Sequence, residues 1–174
     1  MRALIENLWA GWRMNFLQQE GEPDSLRAPS SCVLCDLAKG EGQAFDARNY
    51  VLHRGRDCYV VLNAFPYAAG HLMIVPYVHE GDFLDLSSEV LGESLELARS
   101  AIRALKEVYN PEGFNFGANL GRAGGAAFGD HAHFHVVPRW LGDTNFMTTL
   151  AHTRVIPEAL SATYDRLLER LHNG

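Results

Sequence analysis

The chain has 174 residues, 47% hydrophobic and 21% charged, which suits one domain with a real core. Its net charge of −6 argues against a polynucleotide partner, because nucleic-acid binding draws most of its affinity from phosphate neutralisation; a small phosphorylated ligand needs only a few local donors. No apolar run approaches the ~18 residues that cross a bilayer, so no membrane association is expected.

Residues 3–19 read as an amphipathic helix with Ile5, Leu8, Trp9, Trp12 and Phe16 on one stripe. A polar connector rich in Pro, Gly and Ser follows, from Glu20 to Ser31. The chain therefore divides into an N-terminal helix and connector, 1–30, and a main domain, 31–174, that includes a C-terminal helix. The N-terminus lacks a signal-peptide profile. The cysteines, Cys32, Cys35 and Cys58, are odd in number, which argues against a disulfide scaffold. A cytoplasmic protein is expected.

Residues 50–53 and 57–63 predict strands joined by a turn at Arg54-Gly55-Arg56, and His71–Pro76 predicts a third. A long helix is predicted over 88–109, capped by Ser87-Ser88 and stopped by Asn110-Pro111, with Leu91, Leu95, Ala98, Ile102, Leu105 and Tyr109 as its buried stripe. Gly113–Asn119 and His131–Pro138 predict two more strands, and a last helix is expected from Pro157. Short turns favour antiparallel pairing. The fold class is α+β: a meander sheet with one long helix packed on it and extra helices at the two ends.

Chemistry concentrates in His131-Ala132-His133-Phe134-His135. On a strand, alternate residues share a face, so three imidazoles would project together while Ala132, Phe134 and Val136 point into the core. Such an array can hold a metal, or it can attack and protonate. Upstream, Gly121–Asp130 contains four glycines, and backbone N–H groups in such a loop can approach an anion closely. Taken alone, the loop fits a plain turn as well as a phosphate cradle. A phosphate beside histidines points to attack on phosphorus.

These residues resemble the histidine triad family. His131–Arg139 matches its His-x-His-x-His pattern, and Asn63–His71 is similar to its second signature, an Asn or Asp followed by Pro and then Gly-His. Asn119-Leu120-Gly121 resembles the segment before the triad. Leu8–Met14, Trp140–Phe146 and Val155-Ile156-Pro157 extend the likeness to a bacterial branch of diadenosine tetraphosphate phosphorylases. The resemblance implies attack by His133 on the α-phosphorus of a nucleoside polyphosphate, with His135 assisting the leaving group and His131 completing the catalytic triad. It implies a backbone carbonyl after the nucleophile that fixes the protonated ring nitrogen. Asn63 would hold the ribose, His71, grouped with the nucleotide-binding residues, would support the triad from behind, and Asn119 with the amides of Gly125, Ala126 and Ala127 would hold phosphate. Ala126 and Ala127 stand where many members have Gly-Gln, which favours phosphate over water as acceptor.

Cys32-Val33-Leu34-Cys35 is a C-x-x-C pair, a common half of a tetrahedral zinc site; a pair of buried thiols is the plainer reading. The resemblance completes the site with His79 and His131, and the zinc would be structural. It also implies a homodimer. The expected substrate is an adenine nucleotide or dinucleoside polyphosphate. The alternatives are a hydrolase of dinucleoside polyphosphates or nucleoside phosphoramidates, a slow nucleotide-binding regulator, and a three-histidine metalloenzyme.

Overall fold

The computed structural model describes residues 32–126, 129–143 and 158–172. The helix expected over 3–19, Ala127 and Pro157 lie outside the described residues. All described helices and strands belong to one compact unit, residues 31–141 with 156–174. Among the described residues, no helix is long and apolar enough to cross a membrane.

Two short helices come first: α1, Val33–Lys39, and α2, Gln43–Asn49. Neither has a side-chain N-cap, and seven residues are too few to hold a helix alone. Tertiary contacts hold them instead. The Arg54 guanidinium takes both carboxylate oxygens of Asp46 at 2.7–3.1 Å and donates to the carbonyls of Leu37 and Ala38 at 2.9 and 3.2 Å. One planar group thereby ties both helices to the strand that carries it.

The strands are β1, Val51–Arg54; β2, Cys58–Leu62; β3, Leu72–Pro76; β4, Gly113–Ala118; and β5, Phe134–Arg139. The Glu93 carboxylate closes the β1–β2 turn by accepting from the amides of Arg56 and Asp57 at 2.8 and 2.5 Å. All neighbours pair antiparallel, in the order β1-β2-β3-β5-β4. This differs from the expected meander: β5 returns between β3 and β4. The histidine segment therefore enters the sheet at its interior, beside Leu72–Ile74.

One sheet face buries Val60, Leu62, Leu72, Ile74, Phe134 and Val136 beneath α3, Ser88–Tyr109, and α4, Leu160–His172. The other packs Val51, Tyr59, Val61, Met73 and Val75 against Leu34 of α1. With both faces covered, β2 and β3 are apolar throughout.

Ser87 caps α3 by accepting the Val90 amide at 3.3 Å, and Asn110 ends it in the left-handed region. Of the expected stripe, Ala98 and Leu105 are buried and Leu91, Ile102 and Tyr109 pack against the core; Leu95 alone is exposed, and Ser94, Leu97, Ala101 and Ala104 are buried beside them. Small residues at 94, 98, 101 and 104 let the helix lie close on the sheet, so closeness of approach, rather than the largest side chains, selects the inner face.

Candidate active site

β5 begins at Phe134, so His131 and His133 precede the strand expected to contain them. The Ala132 amide donates to the Glu80 carbonyl at 2.6 Å, beyond the end of β3. Ala132, Phe134 and Val136 enter the core as expected. The histidines, however, divide into two groups.

The first group is His133 and His135, with ring centroids 4.9 Å apart. His133 Nδ1 lies 2.9 Å from the His131 carbonyl. A carbonyl only accepts, so Nδ1 carries the proton and Nε2 of the neutral ring carries the lone pair. The carbonyl comes from two residues before the nucleophile, not after it as expected, because the backbone bends back ahead of β5. Burial pushes the His133 pKa below its ordinary value.

The proton on His135 is fixed by a longer chain. The Tyr67 amide donates to His71 Nδ1 at 3.0 Å, which puts the His71 proton on Nε2. That nitrogen donates to His135 Nδ1 at 3.0 Å, so the proton of neutral His135 sits on Nε2. This Nε2 is buried and has no hydrogen-bond partner among the described residues. Burial, reinforced by His133, pushes the His135 pKa down to about 4. His71 is 1% exposed. It lies behind His135, under the Tyr67 ring, with centroids 4.5 Å apart. Asn63 is half-buried at the edge of this group, its Oδ1 accepting from the Phe65 amide at 2.9 Å and its Nδ2 3.5 Å from His71 Nδ1.

The second group is Cys32, Cys35, His79 and His131, whose ligand atoms all lie within 4.8 Å of one another and could hold a metal ion. His131 Nδ1 is 3.4 Å from each sulfur and 3.3 Å from His79 Nδ1, and Cys35 Sγ is 3.2 Å from His79 Nδ1. His131 Nε2 donates to the Pro76 carbonyl at 2.8 Å, leaving Nδ1 with its lone pair facing the sulfurs. Burial pushes the Cys35 thiol up, and neighbouring Cys32 adds to the effect. The loops bearing the two imidazoles touch through backbone. A Cβ at Gly81 would stand 2.4 Å from the Gly129 carbonyl oxygen and 3.0 Å from Asp130 Cα.

The glycine loop is partly self-bonded. Ala126 N–H donates to the Gly121 carbonyl at 3.2 Å, and Asn119 Nδ2 to the Gly125 carbonyl at 3.3 Å. Gly121 and Gly125 have φ of 65° and 86°, conformations that favour glycine. Two of the groups expected to hold phosphate are thus engaged within the loop. The Tyr67 amide and the Pro76 and Glu80 carbonyls were not legible from sequence, since main-chain partners leave no residue-type signal.

A profile of the HIT domain matches residues 45–140, more than half the chain. The chain belongs to the HIT family. It is 38% identical over 165 residues to a protein of Mycobacterium tuberculosis described as an AP-4-A phosphorylase, covering 93% of this chain and 82% of that one. It is an enzyme of the family. An adenosine 5'-monophosphoramidase of Schizosaccharomyces pombe is 28% identical over 109 residues, 63% of this chain and 74% of that one. Among solved structures, a Zn-bound histidine triad family protein from Mycobacterium smegmatis superposes with a TM-score of 0.66 at 25% identity, covering 82% of this chain and 94% of that one. The shared α+β fold with its antiparallel sheet is the HIT fold.

Proposed function

We propose that this HIT enzyme cleaves diadenosine tetraphosphate with inorganic phosphate, through a nucleotidyl intermediate on His133. The observation that carries the reading is the pair of complementary tautomers: Nε2 of His133 bears a lone pair, and Nε2 of the adjacent His135 bears a proton. A nucleophile and an acid are thus set side by side. His133 Nε2 attacks the α-phosphorus, the bond to the bridging oxygen breaks, and His135 donates its Nε2 proton to that oxygen as ATP departs. A phosphate oxygen then attacks the same phosphorus, the P–N bond breaks, and ADP leaves. Asn63 would bind the ribose hydroxyls. Asn119 and the amides of Gly125, Ala126 and Ala127 would take phosphate oxygens once a ligand opens the loop's own bonds. His71 acts through His135.

The 38% likeness to a phosphorylase favours phosphate as acceptor. The likeness to a monophosphoramidase keeps hydrolysis of phosphoramidates or dinucleoside polyphosphates as the second reading. The deciding experiment separates products of diadenosine tetraphosphate with and without phosphate. ADP appearing only with phosphate supports the phosphorylase; AMP without it establishes the hydrolase. His133→Asn should abolish turnover yet keep nucleotide affinity. Binding without turnover by the native protein would make it a regulator.

We further propose zinc at the Cys32, Cys35, His79 and His131 group. Zinc with bonds of ~2.3 Å to sulfur and ~2.05 Å to nitrogen sets tetrahedral neighbours about 3.3–3.8 Å apart, close to the 3.2–3.4 Å found here. The two-sulfur, two-nitrogen set is that of a closed structural site, and it leaves His133 and His135 to the chemistry. β4 lies at a sheet edge and exposes Phe116, which supports a homodimer. The cysteines form no disulfide, which suits the cytoplasm.

A further inference from the structure

His131 belongs to both groups of the site. Its ring presents Nδ1 to Cys32, Cys35 and His79, and its main-chain carbonyl accepts the Nδ1–H of His133 at 2.9 Å. The ring is 1% exposed and lies in close-packed surroundings, so a shift of the ring is transmitted to the peptide it hangs from.

We infer that occupancy of the Cys32–Cys35–His79–His131 site controls the nucleophile: a cation there holds the His131 carbonyl where it orients the His133 imidazole, Nδ1–H inward and Nε2 toward the phosphorus. His131 is then a positioning residue for a reaction its side chain never touches. This rests on the reading of His133 as the attacking residue.

The geometry supports the coupling in three ways. Four of the contacts among the two sulfurs and two ring nitrogens are 3.2–3.4 Å and all lie within 4.8 Å, and a cation offsets the repulsion between their lone pairs. Loss of the cation is expected to loosen the four. Cys32 and Cys35 lie on or beside α1, which Arg54 anchors, so the donor on the shortest path to the catalytic group is His131. Finally, a neutral imidazole carries its proton on the nitrogen that has an acceptor, and the His131 carbonyl is the acceptor facing His133 Nδ1. Displacing that carbonyl removes the acceptor that holds the proton on Nδ1.

The opposing possibility is concrete. The Pro76 and Glu80 carbonyls, at 2.8 and 2.6 Å, also hold this segment. If they suffice, the metal site would have no influence on His133.

The test uses the full chain with ¹⁵N-labelled histidine, stripped by a chelator and titrated with zinc chloride. Three quantities are followed together: zinc bound by native mass spectrometry, the His133 ring nitrogens by long-range ¹H–¹⁵N correlation, and the single-turnover rate of adenylyl-histidine formation from diadenosine tetraphosphate. The expected result is that the Nδ1–H signature of His133 and the rate both rise along the zinc-binding curve, the rate by about tenfold or more, a barrier change of ~1.4 kcal/mol. His79→Ala, which removes an exposed ligand, should move all three curves together to higher zinc. Each titration compares one polypeptide with itself, so a folding defect in the variant does not decide the outcome.

Zinc that binds while the His133 signals and the rate stay constant overturns the inference and leaves the proposed reaction standing. Absence of zinc binding overturns it as well. His133 signals that follow zinc, with no adenylyl-histidine in any state, support the coupling and overturn the proposed reaction instead.

Discussion

His71 Nε2 donates to His135 Nδ1 across 3.0 Å, and both rings are set by a main-chain N–H that lies outside the triad, that of Tyr67. The chain runs in one direction because its first donor cannot also accept. Its last member presents a proton on the buried Nε2 of His135.

Replacing His71 should therefore act on catalysis more than on binding. In His71→Asn the shorter side chain cannot reach His135, and the proton is no longer fixed on Nε2. The expected outcome is a fall in kcat of ~10²-fold with KM little changed, within the range that general acid catalysis contributes. Steady-state kinetics on diadenosine tetraphosphate with phosphate present measure it. An equal rise in KM with kcat intact would place His71 in binding.

Acid should destabilise the protein earlier than its carboxylates require. Burial holds the folded pKa of His135 at about 4, against an ordinary value of ~6.5 in the unfolded chain. Between these values the unfolded state binds the proton and the folded state does not. The His135 contribution is thus fully present above about pH 6.5 and is lost as pH falls toward 4. Burial also lowers the His131 and His133 pKa values, which adds in the same direction. Urea midpoints measured across pH 4–7 (an interval set by these values) should fall with acid, and His135→Asn should flatten part of that slope.

Chelating zinc at the proposed site should cost stability. A ligand at ~100 times its Kd stabilises the folded state by ~2.7 kcal/mol, which for a chain of this size corresponds to a Tm difference of roughly 5–10 °C. Calorimetry with chelator against added zinc measures it. In Cys32→Ser the two traces should nearly coincide.

Arg54 offers a test of how the cysteine-bearing helix is held. A lysine supplies one point charge where the guanidinium bonds both Asp46 oxygens and two carbonyls at once. Arg54→Lys should lower stability by about 1–3 kcal/mol and weaken zinc binding, although position 54 contributes no ligand. Unchanged zinc affinity, by competition with a chromophoric chelator, would show that α1 keeps its place without Arg54.

The strands were legible because β2 and β3 are buried on both faces and read as apolar runs, and α3 because Ser87 and Asn110 bracket it. The histidines and the cysteine pair announced themselves by residue type and spacing. The swap of β4 and β5 was not legible: it depends on which edge the chain reaches after α3, and both strands look alike from either position. α1 and α2 were missed because their stability comes from Arg54, distant in sequence from both helix starts. Leu95 was assigned inward by its spacing within the stripe, but it lies exposed and the neighbouring Ser94 is buried instead. The proton positions on His133 and His135 were beyond sequence altogether, since amides and carbonyls set them.

The close backbone approach at Gly81 has a consequence for any library of variants. The residue bears no functional atom, yet a methyl group there would force apart the strips of chain that carry His79 and His131. Saturation mutagenesis should find this position nearly as intolerant as the triad, and its substitutions should be recognisable by a shared symptom: poor retention of zinc during purification.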